Sequence, residues 1–140
     1  MQLQKAVLDT LYLFNQSPDH RIYTLVEFNT FATFPILHEK CRLFYDGNDP
    51  IGFVSWIWLT EQEGDDFLAE RFVPAEETYK RPNDLSANLN LWGVEFIAPF
   101  GHARQVMRSM RQYSQNVLGQ KEPASWRRLK QPDRLHRKGF

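Results

Sequence analysis

The run from Leu89 to Ala98 is apolar almost throughout, and it constrains the fold more than any other stretch of the chain. A strand with apolar residues on both faces needs cover on both, which puts it in the middle of a sheet with layers on either side. Its exception is Glu95. A carboxylate there must be paired, hydrogen-bonded or protonated, because burying an unpartnered charge is costly. Spacing leaves two readings open: Glu95 faces solvent or bonds a structural arginine, or it belongs to a site.

Elements of both periods surround that strand. Val7, Leu8, Leu11 and Phe14 recur at helical spacing and predict an amphipathic helix over residues 3–15. Ser17-Pro18-Asp19 breaks it. Thr24 and Glu27 have the spacing of a capping box, opening a short helix that runs to about Ala32 and ends at Pro35. Cys41 to Tyr45 and Ile51 to Leu59 read as strands joined by the turn Gly47-Asn48-Asp49-Pro50. Glu61 to Glu70 reads as a helix anchored by Phe67, Leu68 and Phe72, and residues 74–88 as loop. Pro99-Phe100-Gly101 ends the central strand, and His102 to Leu118 forms a helix burying Val106, Met110 and Val117. One more short strand is expected at Trp126–Lys130. Strands separated by helices predict a layered α/β domain, a mixed central sheet flanked by helices.

At 140 residues the chain is expected to make one domain over 1–140, with a basic tail from about residue 121. An apolar share of 42% argues against disorder, and no window holds the ~20 apolar residues of a membrane span. The net charge of zero hides a division. Residues 1–100 hold 7 basic and 15 acidic residues, whereas residues 101–140 hold 10 and 2. The basic end suits an acidic or phosphorylated partner. Cys41 is the single cysteine, so an internal disulfide and a cysteine-based zinc site are excluded. The four histidines lack ligand spacing, and no bound metal is expected. The N-terminus has no cleavage pattern of a signal peptide, and a cytoplasmic location is expected.

No nucleophile elbow, Walker loop or dinucleotide fingerprint occurs. The chemistry-bearing candidates are His20, in the turn after the first helix, and Glu95. His20 is otherwise an ordinary loop histidine. If the two meet, the imidazole takes a proton near neutral pH, and the carboxylate fixes its tautomer and steadies the imidazolium.

Four blocks carry a resemblance: Ser17-Pro18-Asp19-His20-Arg21, Phe34-Pro35-Ile36, Ser55-Trp56-Ile57-Trp58-Leu59-Thr60, and Glu95-Phe96-Ile97-Ala98-Pro99-Phe100-Gly101. In this order they resemble the RTX-toxin-activating lysine acyltransferases, from about residue 3 to 115. The resemblance implies a fold like that of the Gcn5-related N-acetyltransferases. It implies transfer of a fatty acyl group from acyl carrier protein to the ε-amine of internal lysines in an RTX protoxin, with no tightly bound cofactor. The acyl-phosphopantetheine of the carrier is then the donor. The family's catalytic histidine falls on His20 and its catalytic acid on Glu95. Members typically carry aspartate there, and one extra methylene moves a carboxylate by roughly 1.5 Å. Members also commonly run longer at the C-terminus than Phe140. A last strand is then missing or comes from a second copy across a homodimer.

Further candidates follow from that reading. Backbone amides of Ala98, Phe100 and Gly101, where strand gives way to helix, suit a developing oxyanion. Ser17 suits a hydrogen bond near His20 or a loop cap. Arg104, Arg108 and Arg111 form a basic stripe on the last helix and, with Arg127, Arg128 and Lys130, suit docking of the acidic carrier. A solvated helix face is the ordinary alternative. Phe53, Trp56, Trp58, Phe96 and Phe100 are candidates for an acyl-chain groove, although core packing is the commoner use of such residues. Three other functions stay open. One is an N-acyltransferase using acyl-CoA, disfavoured by the missing Gly-rich pyrophosphate loop. The others are a nucleic-acid-binding module using the basic tail, and a non-catalytic adaptor for carrier or toxin.

Overall fold

The computed structural model describes residues 2–84, 87–120, 124–128 and 131–136. Helix α1 (Leu3–Gln16) leads, through a turn, into α2 (Leu25–Phe28), a π-helical turn (Asn29–Thr33) and α3 (Phe34–Leu37). Strands β1 (Cys41–Asp46) and β2 (Asp49–Leu59) follow, then α4 (Glu61–Leu68), α5 (Glu76–Tyr79) and β3 (Asn90–Ile97). Helix α6 (Ala103–Asn116), β4 (Ser125–Arg128) and β5 (Gln131–His136) complete the order.

The five strands form one mixed sheet in chain order, with β3 in the middle as its apolar sequence predicts. Among the described residues only β3 and β4 pair in parallel; the other three neighbouring pairs are antiparallel. Alternation along β2 sends Phe53, Ile57 and Leu59 to the side of α1, α3, α4 and α5. It sends Val54, Trp56 and Trp58 to the side of α6. Helix α6 sits close to β2 because Gly52 has no Cβ; one built there would lie 2.7 Å from Val106 Cγ2. The loop before β3 is pinned by Asn83, whose Oδ1 accepts from the indole N–H of Trp58 at 2.7 Å and of Trp56 at 3.3 Å. Among the described residues no helix is long and apolar enough to cross a membrane.

Several local expectations are corrected. Helix α1 buries Ala6, Thr10, Leu13 and Phe14, while Leu8 and Leu11 are exposed. Thr10 hides its hydroxyl by donating to the Ala6 carbonyl at 2.7 Å, so a small and a polar residue join Leu13 and Phe14 on the inward stripe. Pro35 does not end the second helix. It falls in the first turn of α3, where its missing N–H costs no bond, and the π-helical turn before it re-sets the phase. The stretch 74–88 is not all loop, since α5 lies within it and buries Tyr79. Val117 is exposed because the helix ends there; Ser114 and then Leu118 take the inward places. The expected strand at Trp126–Lys130 is instead the pair β4 and β5, with Lys130 outside the described residues.

Candidate active site

Two elements far apart in the chain supply the site. Ser17 terminates α1, and its carbonyl accepts from the backbone N–H of His20 at 3.0 Å and of Arg21 at 2.9 Å. That tight turn points the His20 ring inward against Phe14, edge to face at 5.3 Å between ring centres. Tyr23 packs on the same ring at 5.3 Å. The other element is β3, where the register slips. Ser55 pairs with Glu95 but Trp56 with Gly93, so Val94 is an extra residue. This bulge lets two successive residues turn to one side: Val94 packs on the cluster of Ile57 and Leu59, and Glu95 reaches His20.

The contacts are short. His20 Nε2 lies 2.7 Å from Glu95 Oε2, and His20 Nδ1 lies 2.6 Å from Ser17 Oγ. The Tyr23 hydroxyl donates to the second oxygen of Glu95 at 2.7 Å. The side chains of His20 and Glu95 are 9% and 4% exposed, so neither reading that left Glu95 on a solvated face or against an arginine holds. A carboxylate is an acceptor, which makes Nε2–H the donor and leaves Nδ1 with its lone pair toward Ser17. Sequence reasoning missed Tyr23; the available signal was a phenol three residues after His20 in a turn-rich segment.

Other predicted residues fall elsewhere. Ala98 packs on the α6 side of the sheet, and Phe100 is exposed against Tyr12 at 6.0 Å. Gly101 takes a positive φ of 89° in the turn that leads to α6. Arg104, Arg108 and Arg111 are exposed along α6 and, with Phe96, Ala103 and Met107, line a surface groove of about 410 Å³. Arg127 and Arg128 lie on β4, and their side chains are outside the described residues. Of the candidate groove aromatics, Phe53, Trp56 and Trp58 are fully buried core. A second histidine–carboxylate contact, His38 Nε2 to Glu76 Oε2 at 2.7 Å, joins α3 to α5 and is more exposed. Burial pushes the Cys41 thiol up to about 12, so it stays a thiol. Among the described residues no three His, Cys, Asp or Glu side chains group to hold a metal ion.

The lysine-acyltransferase RtxC of Vibrio cholerae is 29% identical over 113 residues, covering 79% of this chain and 69% of the relative. An uncharacterized protein of Synechocystis sp. is 28% identical over 64 residues, 46% of this chain and 40% of its own length. The sequence profile of the RTX toxin acyltransferase family matches residues 2–133, and the chain belongs to that family of acyltransferases.

Proposed function

We propose that this acyltransferase moves a fatty acyl group from acyl carrier protein to the ε-amine of internal lysines in an RTX-type protoxin, in the cytoplasm. The observation that carries this reading is the buried chain of contacts from Ser17 through His20 to Glu95. A lysine amine is mostly protonated at neutral pH and is then no nucleophile, so a base is required. Glu95 holds Nε2–H, which makes Nδ1 the basic nitrogen. The lysine gives up its first proton to solvent, and as the amine nitrogen attacks the thioester carbonyl its second proton passes to Nδ1, directly or through the Ser17 hydroxyl. The C–N bond forms, the C–S bond breaks, and the departing sulfur takes the proton from the imidazolium. Glu95 steadies that imidazolium while it lasts. In a second route His20 accepts the acyl group first, with Glu95 in the same role.

The donor's path has support in the sheet. Among the described residues β3 and β4 pair at Trp92–Ser125 and Gly93–Trp126, just short of the bulge. Among the described residues β4 pairs with β3 no further than Gly93, and in a Gcn5-related acyltransferase fold the pantetheine arm lies along that edge. Amides of Ala98, Phe100 and Gly101 then face the developing oxyanion. The groove of Arg104, Arg108 and Arg111, with its apolar floor of Phe96 and Met107, suits the acidic carrier. The test is co-expression with a candidate protoxin and carrier, followed by intact-mass measurement. Added fatty acyl mass on lysine is expected with the natural chain and absent with H20A; equal acylation by H20A and E95Q refutes the scheme.

A further inference from the structure

Tyr23 is bonded to both members of the His20–Glu95 pair. Its backbone N–H donates to the His20 carbonyl at 3.0 Å, and its hydroxyl donates to Glu95 Oε1 at 2.7 Å. With the contact of His20 Nε2 and Glu95 Oε2, these bonds close a ring through three residues. Tyr23 is itself well fixed. It directly precedes Thr24, whose capping box with Glu27 starts α2. Its ring meets Phe14 edge to face at 5.5 Å and Phe31 at 6.0 Å. A phenylalanine would make the same ring contacts, so packing gives no reason for the oxygen. Glu95 does give one, since a hydroxyl bonded to a charged carboxylate makes the stronger kind of hydrogen bond.

We propose that Tyr23 is a positioning residue: its hydroxyl anchors the Glu95 carboxylate so that Oε2 stays on His20 Nε2–H. The inference rests on the catalytic reading of that pair. A glutamate side chain turns about three bonds, and a single hydrogen bond to His20 leaves its carboxylate free to swing about that contact. The second bond, on the other oxygen, fixes the plane of the group. Tyr23 also holds the His20 backbone, so a shift of the turn moves the imidazole and the anchor together. The ring of bonds keeps Nε2–H on Glu95 and Nδ1 toward Ser17 while the imidazole takes up and returns a proton. Support of this kind sets the geometry of the chemical step and makes no contact with substrate.

The experiment compares the natural chain with Y23F, E95A and Y23F/E95A in acyl-transfer kinetics. It also follows the downfield NMR resonance of the His20 Nε2 proton in the natural chain and in Y23F. Y23F is expected to lower kcat about tenfold with KM for donor and acceptor unchanged, and to displace the resonance. In the E95A background it should cost nothing further, because the phenol then has no carboxylate to hold. A tyrosine that only packs lowers Tm but moves neither kcat nor the resonance, and that outcome overturns the proposal. An equal tenfold loss on top of E95A also overturns it, as does a raised KM at unchanged kcat, the mark of a substrate contact. If the natural chain transfers no acyl group, the catalytic reading fails by itself. The His20 resonance in Y23F still decides whether the phenol holds the pair.

Discussion

His20 and Glu95 are 75 residues apart in the chain and 2.7 Å apart in the fold, Nε2 against Oε2. The contact spans a turn at the end of α1 and a bulge on the middle strand. Replacing His20 with alanine should lower acyl transfer by about 10³-fold, and E95Q by about 10²-fold. E95D is the sharper test. Aspartate is the residue expected from the family resemblance, yet on this bulged strand it withdraws the carboxylate by about one bond and should cost ten- to a hundredfold. A single-turnover assay on the three variants checks the order, and an E95D rate equal to the natural one would show that the pair tolerates looser geometry.

Charge reversal at Arg104 and Arg108 should act on the donor alone. R104E/R108E is expected to raise KM for acyl carrier protein about tenfold or more and to flatten its dependence on salt, leaving kcat at saturating donor unchanged. Initial rates at two ionic strengths measure both. An unchanged KM would remove α6 from the docking surface.

The acid limb of stability should belong in part to Glu63. Arg81 bonds both of its oxygens, at 2.7 and 2.8 Å, and this holds its carboxyl at about 2, below the ordinary 4.5. A depressed folded-state value gives stability that is fully present above pH 4.5 and is lost as pH falls through 2. The pair is partly solvated, so its contribution is about 1 kcal/mol. Urea unfolding of E63Q and of the natural chain should therefore differ at pH 6 and converge near pH 2.

Gly52 should resist any side chain. G52A drives its Cβ into Val106, at 2.7 Å, and is expected to cost about 1–3 kcal/mol. V106A opens a cavity by itself, but the double variant should recover part of the loss. Chemical denaturation of the four-member cycle measures that coupling.

How much of this was legible follows from what each signal encodes. Hydropathy identified the middle strand, because Leu89 to Ala98 has nowhere else to go. It placed Phe14 inward but misread the rest of α1, whose inward face also holds Ala6, Leu13 and a threonine that satisfies itself. Proline at 35 reads as a stop, and only the preceding π-helical turn, which has no sequence signature of its own, makes it a start. Glu95 stood out as the charge in an apolar strand, and the motif resemblance joined it to His20, whereas their contact depends on a one-residue register slip that no local pattern announces. Tyr23 was passed over because it gains its meaning from Glu95, 72 residues away in the chain.

The Asn83 clamp makes the chain optically readable. Trp56 and Trp58 are both fully buried, and one side-chain oxygen holds both indole N–H groups. Lifting the loop around Asn83 would change the polarity at both rings together. Their emission would then report on that segment without a label, over the background of Trp92 and Trp126.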